Sequence, residues 1–259
     1  MKKWVSTRAS LPPLIFFASL IILWEILSQT MQFPAYILPA PSVIGRSLLT
    51  NASLLIHHTG ATLTAVAGGL ALAISTALLL ALAMDRWKPL KQALYPVLVV
   101  SQAVPIFALA PLMMIWFGVG LLPKVLIVAL VCFFPLAVNL VEGLSQVDSE
   151  AIDLMKIMQA DNLMIMKSVQ LPTAMPYFFS GLKIAATYSV LGAIIGEWLG
   201  ARAGLGIYML RAMNSFRTGD VFASIVVIIV LSLILFKAVE AFGWLAMPWK
   251  KDESNYTEE

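Results

Sequence analysis

The one long polar interruption of this apolar chain is the segment Val147–Lys183, which lies between two long apolar stretches and combines charged residues with Met, Ile and Leu. Within it, Glu150–Lys167 is expected to form a helix in which Met, Ile and Leu alternate with charged residues. Methionine adapts to the groove of a partner. The segment has more acids than lysines, which favours a protein partner over the alternative of lipid headgroups. Its chemistry is therefore that of a docking surface.

Catalytic and nucleotide-binding patterns are missing from the sequence. No pair of titratable residues has a spacing typical of acid–base catalysis. His57 and His58 are adjacent and have no Cys, Asp or Glu nearby, which makes a poor metal site. The pattern G-x-x-x-x-G-K-[ST] does not occur. We expect no catalytic residue, metal or cofactor, and no enzymatic activity in this chain.

Glu197 stands in an otherwise apolar stretch and has two interpretations. A carboxylate inside a membrane is expensive and is usually paired or functional. It can contact a solute at an outer gate, or it can form a salt bridge with Arg202 or Arg211 that holds the outer loop. The sequence favours neither.

A second group of polar residues adjoins a proline-rich stretch. Three prolines between positions 96 and 111 should break or kink a helix and free backbone groups. Freed groups in a membrane must face protein or a water-filled path. Ser101 and Gln102, and also Asn139 in the next stretch, are therefore candidates for lining a translocation path, together with Glu197.

The composition indicates a polytopic membrane protein. Hydrophobic residues make up 60% of the 259 residues, charged residues only 12%, and the mean hydropathy is +0.90. Continuous apolar runs predict helices, because a bilayer-spanning helix needs about 20 apolar residues. Six spans are predicted: Leu14–Ser28, Thr59–Met84, Leu94–Phe117, Val125–Leu144, Tyr177–Leu199 and Val221–Leu245.

The basic residues predict which way these spans run. With the N-terminus inside, five of the 17 Lys and Arg residues lie outside and the remaining 12 inside. The five are Arg46, Lys124, Arg202, Arg211 and Arg217. This bias predicts that both termini are cytoplasmic, so the net charge of +3 reflects topology and not nucleic-acid binding.

The domain organisation is simple. A cytoplasmic tail (residues 1–13) precedes one transmembrane domain (residues 14–249), which includes a cytoplasmic loop at residues 147–176. An acidic tail (residues 250–259) is expected to be disordered. Outside the membrane, Ser42 is expected to cap a helix that runs through Leu55.

Small residues recur every fourth position in two spans, which predicts a tightly packed bundle. They form three stripes: Ala61, Ala65, Gly69, Ala73 and Ala77; Gly192, Gly196 and Gly200; Gly181, Ala185, Ser189 and Ala193.

Within the polar segment, Val169-Gln170-Leu171-Pro172 matches the ending of a known motif, and the segment resembles the EAA loop of permease subunits of ABC importers. That loop has an acid and two alanines, a glycine four residues after the second alanine, and an Ile/Val-x-Leu-Pro ending. Here Asp153 matches the acid, while Leu154 and Met155 replace the alanines and Gln159 replaces the glycine. In the family this loop is the coupling helix that sits in a groove of the ATPase. The resemblance implies these coupling residues: Glu150, Asp153, Met155, Met158, Gln159, Leu163, Leu171 and Pro172.

The resemblance extends over roughly residues 34–244. The segments YILPAPSVIG, VPIFALAPLMMIWFGVGLLPK and GEWLGARAGLG together resemble the nitrate/sulfonate/taurine-type branch of these permeases. SQAVPIFALAPL, LVCFFPLAVNLVEGL and GEWLG are most similar to permeases for pyrimidine precursors of thiamine. This implies an all-α fold of the type I ABC importer permease class, located in the plasma membrane.

The same resemblance implies partners. They are two ATPase subunits, an extracytoplasmic solute-binding protein and a second permease copy, most simply in a homodimer within the lipid bilayer. The implied solute is a hydroxymethyl- or aminomethyl-pyrimidine, or otherwise a sulfonate, taurine or nitrate. Arg211 and Arg217, in the outer loop, are candidates for docking the binding protein; alternatively this loop is a re-entrant helix packed on the bundle.

Two other classes of function fit the sequence less well. A stand-alone secondary transporter driven by an ion gradient usually shows inverted repeats and paired broken helices. No internal repeat is visible in this sequence, so a secondary transporter is the weaker hypothesis. It is the alternative to an importer. A membrane enzyme would need a cluster of His, Asp or Ser that the chain lacks.

Overall fold

The computed structural model describes residues 7–30, 34 and 36–249, without the side chains of residues 7–11 and 14. The described residues form helices and contain no β-strand, which confirms the all-α class. The acidic tail predicted at residues 250–259 lies outside the described residues. The helices are α1 (Thr7–Thr30), α2 (Pro41–Thr50), α3 (Ala52–Arg86), α4 (Lys88–Ser101), α5 (Ile106–Phe117), α6 (Leu121–Ser145), α7 (Ser149–Ile157), α8 (Asn162–Ile165), α9 (Leu171–Trp198), α10 (Leu205–Asn214) and α11 (Thr218–Ala246), with a π-helical segment, Met166–Gln170, before α9.

The predicted spans correspond to long apolar helices. Helices α3, α6, α9 (with the segment before it) and α11 are each long and apolar enough to cross a membrane. Helices α4 and α5 meet the criteria together but are bent by 102° at a short break, so the described part of the chain has four or five spans by this test. The first predicted span is a shorter apolar helix, Ile15–Thr30, within α1.

Contacts between helices define one end of the bundle, which we call the Glu197 end. Thr62, near the start of α3, hydrogen-bonds to Glu197, near the end of α9. Lys124, near the start of α6, packs against Gly196 of α9. Helices α3 and α6 therefore begin where α9 ends.

The opposite end, which we call the Ser145 end, is defined in the same way. Gln170, before α9, donates to Asp85, near the end of α3, over 3.3 Å. Lys91 of α4 donates to Ser145, the last residue of α6, over 2.6 Å. The α7–α8 loop follows Ser145 directly, so this loop lies at the Ser145 end.

The bent α4–α5 pair connects the two ends. It begins beside Ser145, whereas Met114, near the end of α5, packs against Gly200 just after α9. The pair therefore crosses the bundle and does not return to the end where it began. Its break at residues 102–105 confirms the prediction that the proline-rich stretch is interrupted.

The core forms where α6 packs against both α9 and α3. Ala65, Gly69, Ala73 and Ala77 of α3 are buried, as the stripe predicts, but Ala61 is only half-buried and Thr62 replaces it in the interface. The two α9 stripes are buried except for Gly200, which lies beyond the end of that helix. Small side chains let these backbones approach closely.

The helix predicted from Ser42 through Leu55 differs in the structure. It is divided at Asn51 into α2 and α3, and Ser42 does not cap it. The cap comes instead from α1, because Glu25 accepts hydrogen bonds from the Ser42 backbone N–H (2.9 Å) and hydroxyl (2.7 Å). A carboxylate at a helix start satisfies free N–H groups and suits the helix dipole. Sequence alone could not identify a cap 17 residues away.

The prediction of one continuous helix over Glu150–Lys167 was also wrong. Helix α7 ends at Ile157, α8 begins at Asn162, and the chain then passes through the π-helical segment into α9. Leu171 and Pro172, which were predicted to lie in the cytoplasmic loop at residues 147–176, instead form the first turn of α9.

The close packing of α3 on α6 can be tested at Gly69. A Cβ at this position would fall on the side chain of Val128. Gly69→Ala should lower the free energy of unfolding by about 1–3 kcal/mol through overpacking, measured as a lower Tm of the purified protein in detergent. Gly60→Ala on the same helix is the control, because a Cβ there meets nothing within 4 Å. Equal effects of the two substitutions would contradict this packing.

Candidate functional site

A cavity of about 710 Å³ lies between the α4–α5 bend, α6 and α9. Three of the four predicted path residues line it, namely Ser101, Gln102 and Asn139. Its wall also includes Phe134 and Tyr188. The structure thus brings together residues that lie far apart in the sequence, whereas Glu197 is not part of this wall.

The α4–α5 bend positions the first side of the cavity. Helix α4 ends at Ser101, and Pro105, which has no N–H, precedes α5 in an extended conformation. The Ser101 hydroxyl donates to the carbonyl of Val97 over 2.7 Å, so this polar group is already bonded. Gln102 begins the break and is exposed.

Asn139 on α6 forms part of the opposite wall. Its Nδ2 donates to the carbonyl of Pro135 over 2.7 Å. Pro135 lies inside α6 and has no N–H, so the carbonyl of Val131 lacks its usual intrahelical donor. Val131 and Pro135 both line the cavity. This face of α6 therefore combines an orientated amide with a backbone carbonyl freed by proline.

Glu197 lies instead in a buried hydrogen-bonded cluster at the start of α10. Its side chain is fully buried and accepts from the Thr62 hydroxyl over 2.8 Å and from the backbone N–H of Gly206 over 2.6 Å. The Thr62 oxygen in turn accepts from the N–H of Leu205 over 2.9 Å. A helix start has free N–H groups and a partial positive charge, so a carboxylate is stabilised there.

His58, one helical turn before Thr62, completes the group. Its Nδ1 accepts from the backbone N–H of Gly204 over 3.0 Å. Its ring packs against the ring of Tyr208, and the two ring centroids are 5.2 Å apart. Gly204 has φ +139°, and a Cβ there would fall on the Glu197 carboxylate, so the site requires glycine. We call His58, Thr62 and Glu197, with the N–H groups that they accept, the α10 capping cluster.

This geometry bears on the two interpretations of Glu197. In the described residues it forms no salt bridge with Arg202 or Arg211. It is nevertheless bonded to the segment that an ion pair was expected to hold. The sequence analysis did not identify Thr62 as a partner of Glu197, and it treated His58 only as a possible metal ligand. Their spacing of four residues, in line with the buried α3 stripe, was the available signal.

Local signals define the α7–α8 loop at the Ser145 end. Asp148 accepts from the N–H of Glu150 at the start of α7, and Asp161 accepts from the N–H of Met164 at the start of α8. Asp148 is thus the cap of α7. Each cap satisfies a free donor of the first helical turn, so both helices begin where the sequence places an aspartate.

Gln159 is the residue that ends α7. Its φ is +61°, its N–H donates to the carbonyl of Lys156 (2.9 Å), and the N–H of Ala160 donates to the carbonyl of Met155 (3.0 Å). These two bonds form a Schellman motif, in which the residue at this position is usually glycine. The conformation explains why a glycine is expected at this place in the loop, and Gln159 occupies it at a cost of about 1–2 kcal/mol.

The α7–α8 loop exposes apolar side chains. Leu154, Ile157 and Met158 follow a helical spacing of three and four residues, and Ile157 is 79% exposed. Leu163 and Met164 of α8 are more than half exposed as well. We call these five residues the apolar ridge.

The other predicted coupling residues lie around this ridge. Glu150 and Asp153 are exposed, Met155 is half-buried, and Asp153 pairs with Lys156 at 2.9 Å. Charged side chains therefore surround the exposed apolar ridge, as in a docking surface.

Arg211 and Arg217 lie on either side of the turn between α10 and α11. Both are exposed, but Arg217 also forms an ion pair with Asp220 at 3.1 Å. Asp220 is buried and accepts from Ser47 and from Asn51, and these bonds join the α2 region to α11. Arg217 therefore has a structural partner, and no ion pair is present for Arg211 among the described residues.

The described residues contain no group of three or more His, Cys, Asp or Glu side chains that could hold a metal ion. Cys132 is buried in α6.

The chain is similar to a family of membrane transport components and to several known permeases. A family model described as "Binding-protein-dependent transport system inner membrane component" matches residues 69–243. The chain is 36% identical to the formylaminopyrimidine transport permease protein ThiX of Halalkalibacterium halodurans, covering 94% of this chain and 98% of that protein. It is 34% identical to the riboflavin transport system permease protein RibX of Chloroflexus aurantiacus, covering 89% and 87%. It is 27% identical to the taurine transport system permease protein TauC of Escherichia coli, covering 95% and 92%.

A solved structure, described as a crystal structure of an amino acid ABC transporter with histidines, is similar in fold. The TM-score is 0.59 at 17% identity, and the match covers 78% of this chain and 96% of that chain. At this identity the likeness concerns the fold alone. It agrees with the type of fold that the sequence predicted.

The α10 capping cluster can be tested at Thr62. Thr62→Val removes one donor to Glu197 and leaves the N–H of Leu205 without an acceptor, so it should lower the free energy of unfolding by about 1–3 kcal/mol. Tm in detergent measures this. Thr64→Val is the matched control, because Thr64 is exposed and bonds only to the carbonyl of Gly60. In a Glu197→Gln background the effect of Thr62→Val should shrink; full additivity would show that the two side chains do not interact.

Proposed function

The chain belongs to the family of binding-protein-dependent transport system inner membrane components, and on this premise we propose that it imports a pyrimidine precursor of thiamine. It is a multi-pass permease subunit of an ABC transporter and not itself an enzyme. Such a permease works with an ATPase and a solute-binding protein. The proposed solute is a hydroxymethyl- or aminomethyl-pyrimidine, supported by the similarity to ThiX. A sulfonate, taurine or nitrate is the other candidate, supported by the similarity to TauC.

The observation that carries the ATP-driven mechanism is the apolar ridge at the Ser145 end. An exposed group of five large apolar side chains at the edge of a membrane domain calls for a protein partner. We propose that α7 and α8 are the coupling element and that the ridge enters a groove of the ATPase. Glu150, Asp153, Met155 and Gln159 border the ridge and would contact the rim of that groove.

The orientation follows from the same proposal. The Ser145 end holds the α7–α8 loop, so it faces the cytoplasm and the Glu197 end faces outside. The bias of Lys and Arg, 12 of 17 on the inner side, supports this and supports cytoplasmic termini. The subunit then resides in the plasma membrane with two ATPases and a second copy of itself in a homodimer.

Helix α9 provides the mechanical link between the two ends. It follows the coupling loop through the π-helical segment and runs without interruption to Glu197. Hydrogen bonds join α9, or the residue before it, to α3 at both ends, through Gln170–Asp85 and Glu197–Thr62. When ATP closes the ATPase pair, α7 and α8 move, and α3 and α9 would move as one body between inward- and outward-facing states. The loaded binding protein then releases its solute into the path.

Glu197 has a structural role in this proposal. Both of its carboxylate oxygens are bonded within the α10 capping cluster, so it holds the outer segment that faces the binding protein. Ser101, Gln102 and Asn139 line the path. A stand-alone secondary transporter, the alternative, is not supported by any specific feature of the described residues.

The coupling proposal predicts a defect confined to the ridge. Ile157→Glu places a charge at the centre of the apolar ridge and should lower affinity for the ATPase by about tenfold or more, as at an interface hot spot. Co-purification of the ATPase with the permease, and ATP-driven uptake in vesicles, measure it. Met213→Glu is the control, because Met213 is 56% exposed at the opposite end. If Ile157→Glu retains the ATPase as well as Met213→Glu does, the ridge is not the docking surface.

Reversing the charge of Arg211 and of Arg217 is expected to have different effects on the stability of the permease. Arg211→Glu should lower affinity for the binding protein by about tenfold and leave Tm unchanged, because acidic groups on the partner would be repelled. Arg217→Glu should also lower Tm, since it removes the partner of buried Asp220. Titration of labelled binding protein against the reconstituted transporter measures affinity. An unchanged affinity of the Arg211→Glu variant would dismiss the docking role of this residue.

A further inference from the structure

The cavity beside the α4–α5 bend has the dimensions of a small-molecule site. Pockets for small ligands range from about 300 to 1,000 Å³, and this one is about 710 Å³. Its wall is mostly aliphatic and aromatic, with a few polar groups placed on different helices. A second, smaller cavity of about 340 Å³ lies on the other side of α6.

The polar groups of the larger cavity are all uncharged. The side-chain amide of Gln102 and the hydroxyl of Tyr188 have no hydrogen-bond partner among the described residues. The Oδ1 atom of Asn139 is also available, because this amide uses Nδ2 for its bond to Pro135. With the carbonyl of Val131, these groups offer both donors and acceptors to a solute.

The wall also presents two aromatic rings, from Phe134 on α6 and Tyr188 on α9. Tyr188 is 49% exposed and Phe134 is partly exposed, so both rings remain accessible. Aromatic side chains bind flat heterocyclic bases by stacking, at about 1–3 kcal/mol for each base. Such rings favour a planar solute over a compact tetrahedral one.

The electrostatics of the wall disfavour an anion. No Lys, Arg, His, Asp or Glu is among the residues that line the cavity in the described part of the chain. Lys183 adjoins the lining residue Ile184 in sequence, but its ammonium lies 3.9 Å from Glu240 and 5.7 Å from the Phe236 ring centroid. A sulfonate or nitrate that entered the cavity would lose water without gaining a cationic partner, which is strongly unfavourable.

We propose that this cavity is a solute-selecting site of the permease itself, which favours an uncharged, planar nitrogen heterocycle with hydrogen-bonding substituents over an anion. In this site Phe134 and Tyr188 stack on the ring, while Gln102 and Asn139 bond to its edge. The proposal rests on the proposed function as a permease. It adds that selection continues after the binding protein has released its solute.

The test measures binding without the binding protein. Radiolabelled hydroxymethylpyrimidine and a radiolabelled alkanesulfonate are each titrated against the purified permease–ATPase complex. The pyrimidine should bind, and the sulfonate should bind at least about tenfold more weakly. Phe134→Ala should weaken pyrimidine binding by about tenfold, as expected from lost stacking. Phe133→Ala is the matched control, because this adjacent ring lines the smaller cavity.

A second variant does not depend on the packing of α6. Gln102→Arg, at the exposed bend, should strengthen sulfonate binding and weaken selection for the pyrimidine, with an unchanged Tm. The selecting site is overturned if neither solute binds, if the sulfonate binds as well as the pyrimidine, or if Phe133→Ala and Phe134→Ala behave alike. These results would leave the importer intact if ATP-driven uptake with binding protein persists. Loss of the ATPase from the unmodified complex would instead contradict the proposed function.

Discussion

The membrane interior offers no water to the backbone, so every N–H and C=O group there must find a partner within the protein. Helices α3 and α11 meet this requirement by themselves, and α6 and α9 do so except at the carbonyls that the internal prolines Pro135 and Pro176 leave free. The start of α10 meets it through Glu197, Thr62 and His58, which accept from three successive backbone N–H groups. The α4–α5 bend meets it by lining a cavity with polar groups. The two irregular parts of the bundle are therefore satisfied in different ways, one by buried side chains and the other beside a cavity.

The two ends of the bundle are built in opposite ways. At the Glu197 end, buried hydrogen bonds tie α10 to α3 and α9, and Asp220 ties α2 to α11. At the Ser145 end, α7 and α8 are held by their own caps and by the Schellman motif at Gln159, and their apolar side chains remain exposed. The form of this loop therefore depends mainly on local hydrogen bonds, whereas the Glu197 end depends on bonds between distant helices.

Much of the fold could be predicted because its signals are local. Apolar runs predicted the spans, prolines predicted the break between α4 and α5, and small residues predicted the α3 interface. The single helix expected over Glu150–Lys167 was wrong, because its break depends on the left-handed conformation of Gln159. Ser42 was predicted to cap a helix, but Glu25 of α1 provides the cap instead. Local propensity could not identify a partner from another helix.

The sequence by itself determined the class of protein, the apolar spans, the polar loop and its likeness to a coupling element, because hydropathy and short motifs act over neighbouring residues. Only the tertiary structure decided which polar groups meet. It placed Ser101, Gln102 and Asn139 on one cavity and bonded Glu197 to Thr62, 135 residues away. It also decided that no charged side chain of the described residues lines this cavity. These outcomes depend on how helices pack, and packing depends on side-chain shape over the whole interface rather than on any one segment.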